Sequence, residues 1–89
     1  YSSSSEVYSQ SYFLNLIKIP TDENALISFK QPIGDRMSYG LSKFFGEFLI
    51  NSFIKNNNIN GCTIRFHNIY GARMGNKHVI PELINRIKR

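Results

Sequence analysis

Apolar and polar positions divide this chain into short strands and helices in alternation. The strongest helical signal runs from Met37 to Asn56. There Leu41, Phe44, Phe45, Phe48, Leu49 and Phe53 recur at steps of three and four residues. Asp35 or Ser38 is placed to cap the start of this helix, and Asn56-Asn57-Asn58 with Gly61 ends it. Tyr39 and Lys43 lie opposite the centre of the apolar stripe, together with Gly46 and Ile50. Apolar residues therefore cover most of the circumference, the pattern of a helix buried on more than one face. One face is expected to cover a sheet. The other is expected to meet a second helix from a second subunit, which makes a homodimer through Met37–Asn56.

Cys62-Thr63-Ile64-Arg65-Phe66 reads as a short strand, entered from the turn Asn58-Ile59-Asn60-Gly61. Val79 to Arg89 reads as a helix with an Ile80, Leu83, Ile84, Ile87 stripe, and Pro81 is tolerated in its first turn. Tyr1 to Ser4 reads as the end of a strand running into a polar turn. Ser9 to Pro32 reads as a long irregular stretch around Pro20 and the acidic turn Thr21-Asp22-Glu23-Asn24. A loop of that length is usually functional or ordered by another part of the molecule. The order strand, loop, helix, strand, loop, helix predicts an α/β fold with a parallel sheet. In such sheets ligands bind beyond the carboxyl ends of the strands. Here those ends deliver Ser2 to Glu6 and His67 to Gly71, with the Tyr39/Lys43 helix between them in sequence.

Tyr39-Gly-Leu-Ser-Lys43 sets a phenol and an ammonium one helical turn apart on one face. A phenol beside a fixed cation gives up its proton more readily, which suits it to acid–base work near neutral pH. Five Tyr and six Lys would place such a pair by chance about 0.3 times in a chain of this length, so the motif needs its context.

Composition narrows the choice of function. Eighty-nine residues make at most one small domain. The chain begins at Tyr1 without Met and stops inside a helical pattern, so an internal segment of a longer protein is expected. Hydrophobic residues at 42% and aromatics at 13% describe a globular protein rather than a disordered one. The net charge is +5, with cations scattered from Lys18 to Arg89 and no basic stripe interleaved with aromatics. That distribution suits a pocket for an anionic nucleotide better than a nucleic-acid surface. Cys62 is alone, which excludes a disulfide framework and any cysteine-based metal spacing and fits a reducing, cytoplasmic compartment. It is expected to be a small buried hydrophobe. No apolar run reaches the length of a membrane span.

Three stretches together carry a resemblance. Ser3-Ser4-Ser5-Glu6-Val7-Tyr8, then Tyr39-Gly-Leu-Ser-Lys43 with Gly46-Glu47, then Arg65-Phe66-His67-Asn68-Ile69-Tyr70-Gly71 resemble the NAD-dependent epimerase/dehydratase family in content and order. These are extended short-chain dehydrogenases that act on nucleotide sugars. The resemblance covers most of the chain and about the middle third of a full member. It implies part of a Rossmann-type, doubly wound parallel sheet, with residues 1–89 as the catalytic middle segment. It also implies NAD, or NADP, as cofactor and a nucleotide sugar as substrate.

The resemblance further implies roles. Ser4 would hydrogen-bond the sugar hydroxyl and Tyr39 would take its proton. Lys43 would hold the nicotinamide ribose and assist Tyr39. Glu6 would act as a base on the sugar ring after oxidation, and Asn68 would contact the substrate sugar or its phosphate. Ser2, Ser3 and the backbone around Phe66 would line the cofactor. Ser-Ser-Glu is nearer the decarboxylase and GDP-mannose dehydratase pattern, whereas the wording from Arg65 to Gly71 is nearer the epimerases. Ser9 stands where the family usually has Gly, and Ala72 where Pro often follows Tyr-Gly. The glycine-rich phosphate loop is not among these residues. The competing reading is a non-catalytic remnant that serves only as a binding or oligomerisation module.

Overall fold

The computed structural model describes residues 1–30 and 34–89. Strand β1 (Ser2–Ser4) leads directly into a 3₁₀ turn (Ser5–Tyr8) and a short helix α1 (Ser9–Phe13). After a long connection come helix α2 (Asp35–Asn57), strand β2 (Ile64–Phe66) and helix α3 (Val79–Ile87). The two strands pair in parallel, with Ser2 opposite Ile64, Ser3 opposite Arg65 and Ser4 opposite Phe66. Parallel pairing requires a long crossover, and α2 provides it. The parallel sheet expected from the chain's order is therefore present as two strands.

Helix α2 starts without the expected side-chain cap. Its N-cap is Gly34 in extended conformation, and the Ser38 hydroxyl donates back to the Asp35 carbonyl at 2.7 Å. The helix ends as expected at the asparagine run, where Asn58 adopts the left-handed conformation at φ 50° and its N–H returns to the Ile54 carbonyl. Asparagine tolerates that conformation better than most residues. Residues Ser9–Phe13, expected to be irregular, continue the 3₁₀ turn as α1, because Val7, Tyr8 and Ser11 are buried there and fix the local path.

The face of α2 that meets the sheet is not the apolar one. Gly40 and Glu47 are its buried residues, whereas Phe45, Phe48, Leu49 and Phe53 are exposed. Close approach decides this: a side chain at Gly40 would place its Cβ 2.6 Å from the Glu6 carbonyl oxygen, so only glycine lets the helix lie so near the 3₁₀ turn. Cys62, expected to be buried, is exposed beside the start of β2. The long connection is tied at two points: the Ser28 N–H donates to Ser11 Oγ at 2.8 Å, and Arg65 donates to the Glu23 carbonyl at 3.0 Å. Phe29 then meets Phe44 of α2 with ring centroids 6.1 Å apart. Among the described residues no helix is long and apolar enough to cross a membrane.

Candidate active site

One stripe of α2 touches β1 and the turn after it, rung by rung. Arg36, Gly40, Lys43 and Glu47 are spaced four, three and four residues apart, which stacks them on one face. Arg36 Nε stands 3.6 Å from Glu6 Oε2. Gly40 abuts the Glu6 backbone. Lys43 Nζ donates to the Ser2 carbonyl at 2.9 Å. Glu47 accepts a hydrogen bond from the Ser3 hydroxyl. The helix thus runs from Glu6 back to Ser2 and Ser3, and it carries Tyr39 beside that seam.

Tyr39 and Lys43 meet as their spacing predicts. The Lys43 ammonium lies 5.8 Å from the centre of the Tyr39 ring and 5.6 Å from that of Tyr1, within cation–π range of both. Tyr39 is half exposed. One Lys43 donor is engaged by Ser2, and an ammonium has three. Among the described residues no acceptor takes the other two, which leaves them for hydroxyls such as those of a ribose.

Ser4 closes β1 and caps the 3₁₀ turn by accepting the Glu6 N–H at 3.2 Å. A hydroxyl that accepts in this way keeps its own proton to donate. Phe66 is the register partner of Ser4, so the two strand ends lie side by side. Asn68 follows β2 by two residues and is exposed. Ser2 offers its carbonyl to Lys43. The Ser3 side chain is buried and turned to Glu47, which leaves only its backbone for a cofactor.

A second cluster, to which the sequence reading gave no role, lies under the first. Glu47 is 4% exposed in the middle of α2. Arg65 of β2 grips it with a two-pronged fork, Nε to Oε1 at 2.9 Å and Nη2 to Oε2 at 2.7 Å. Arg65 also donates to the Tyr8 hydroxyl and stacks over the Tyr8 ring at 4.8 Å. The Arg65 hydrogen bonds hold the Glu47 carboxyl below its ordinary value, against the opposing effect of burial. The same fork raises the Arg65 guanidinium further above its own. The available signal was a lone Glu in an apolar helix facing a lone Arg in an apolar strand. Nothing local joins them, since they are 18 residues apart.

A cavity of about 930 Å³ opens on the Arg65 side between β2 and the connection around Pro20, lined by Tyr8, Thr21, Asn24, Asn51 and His67. Tyr39 and Lys43 do not line it; they face open surface. Among the described residues there is no glycine-rich phosphate cradle.

The family model of the NAD dependent epimerase/dehydratase family matches residues 1–89. No curated protein and no solved structure matches the chain.

Proposed function

The chain belongs to the NAD dependent epimerase/dehydratase family, and on that premise we propose that it is the acid–base segment of an enzyme acting on a nucleotide sugar. Membership implies a Rossmann-like fold, of which β1, α2 and β2 are the described part. The observation that carries the proposal is the Lys43 ammonium, fixed on the Ser2 carbonyl and held against the Tyr39 ring.

Ser4 donates its free proton to a sugar hydroxyl and orients it. Tyr39 removes that hydroxyl's proton as the carbon is oxidised, and the ammonium stabilises the negative charge that the phenolic oxygen carries before it takes the proton. A nicotinamide cofactor, NAD or NADP, supplies the redox chemistry when bound. Lys43 would hold its ribose through the two free N–H groups, with Ser2, the Ser3 backbone and Phe66 along the same strand ends. Glu6 takes a proton from the carbon beside the new carbonyl, and the C–H electrons pass into that carbonyl. Asn68 would contact the sugar or its phosphate. The exposed Phe45, Phe48, Leu49 and Phe53 face suits a second copy of the helix, and so a homodimer in the full-length protein.

The test is turnover of a panel of nucleotide sugars by the full-length protein with NAD or NADP, read by product mass. Unchanged mass with altered stereochemistry means epimerisation, loss of water means dehydration, and loss of carbon dioxide means decarboxylation. No product from any member of the panel would overturn the proposal.

A further inference from the structure

Glu6 is held in an unusual way for a carboxylate beside a ligand site. Its Oε2 is shut off from solvent and has no hydrogen-bond partner among the described residues. The cation paired with it is Arg36, whose Nε stands 3.6 Å away, beyond hydrogen-bond range. The Glu6 backbone is fixed on both sides: its N–H is taken up by Ser4, and its carbonyl accepts from Ser9 Oγ at 2.9 Å and lies under Gly40. Among the described residues no hydrogen bond fixes Oε2, and the cation that faces it is Arg36. Arg36 sits one helical turn before Tyr39, so the pair lies at the same end of α2 as the proposed base.

We infer that Arg36 is a positioning residue: it aims the Glu6 carboxylate for proton abstraction after the sugar is oxidised, while taking no part in the oxidation. The inference rests on the reading of Glu6 and Tyr39 given above. The Arg36 side chain is 79% exposed and that of Glu6 32% exposed, so the pair adds little to stability. A role in aiming therefore separates cleanly from a role in folding. A side chain aimed wrongly by about an ångström costs turnover by up to roughly a hundredfold.

The experiment uses the full-length protein with UDP-glucose, UDP-glucuronate and GDP-mannose as probes. In single turnovers, reduced nicotinamide is followed by absorbance and product by chromatography, for wild type, Arg36→Ala, Arg36→Lys, Glu6→Gln and the Arg36→Ala/Glu6→Gln double variant. The expected result is reduced nicotinamide at the wild-type rate in Arg36→Ala, product slowed by roughly tenfold to a hundredfold, and partial recovery in Arg36→Lys. The double variant should be no slower than Glu6→Gln alone, with an unchanged melting temperature throughout. Wild-type product formation in Arg36→Ala, or additive losses in the double variant, would overturn the role of Arg36 and leave that of Tyr39 standing. Turnover by Tyr39→Phe, or no turnover of any probe by the wild type, would overturn the proposed function and Arg36's role with it.

Discussion

Gly40 lies so close to Glu6 that a Cβ at position 40 would stand 2.6 Å from the Glu6 carbonyl oxygen and 3.2 Å from its carbon. Both are backbone atoms and neither can swing aside. Gly40→Ala should therefore push α2 away from the 3₁₀ turn, costing about 1–3 kcal/mol and separating Tyr39 from Ser4. Gly46 makes the contrasting case. Its Cβ would meet the end of the Tyr1 side chain, which is 43% exposed and can swing aside by giving up its contacts with Lys43 rather than by moving backbone. Gly46→Ala should be neutral or stabilising by up to about 1 kcal/mol, the helical preference of alanine over glycine. Denaturant unfolding of the two variants checks this; equal effects would contradict the close packing at Gly40.

Much of this seam was readable in advance because it is local. Positions 39 and 43 share a face in any helix, and Asn58 ends α2 as its residue type suggests. The strand ends at Ser4 and Phe66 come together because a parallel sheet aligns them. What the pattern misjudged was the packed face of α2. The Phe45, Phe48, Leu49 and Phe53 stripe drew attention by its hydrophobicity, yet the face on the sheet is chosen by Gly40 and by Glu47. Those choices depend on the Glu6 backbone and on Arg65, which no periodicity within the helix reports.

The Glu47–Arg65 fork predicts a stability effect. The Glu47 side chain is 5% exposed and that of Arg65 20%, so removing one partner strands a largely buried charge. Glu47→Ala or Arg65→Ala should each cost about 2–3 kcal/mol, at or below the lower end for buried pairs because Arg65 keeps some access to water. A thermodynamic cycle between the two should show strong coupling. Additive losses would mean that the fork contributes nothing as a pair.

The same fork sets a pH dependence. Glu47 has its folded pKa lowered from the ordinary 4.5, chiefly by the Arg65 hydrogen bonds. Its contribution to stability is therefore full above the unfolded value and is lost as pH falls below it, through the lowered folded value. Arg65, raised, stays charged throughout. Unfolding midpoints measured from about pH 6 to pH 3 should fall more steeply for the wild type than for Glu47→Gln. Parallel curves would exclude Glu47 as a source of acid sensitivity.

In the proposed function Tyr39, set against the Lys43 ammonium, moves the substrate proton. Tyr39→Phe keeps the ring and removes only the hydroxyl, so folding and ligand binding should persist. The decisive measurement is single-turnover reduction of the nicotinamide cofactor by this variant of the full-length protein, with a nucleotide sugar bound. The expected result is a loss of at least about 10³-fold, within the range of acid–base catalysis, at unchanged substrate affinity. Reduction at the wild-type rate would contradict it.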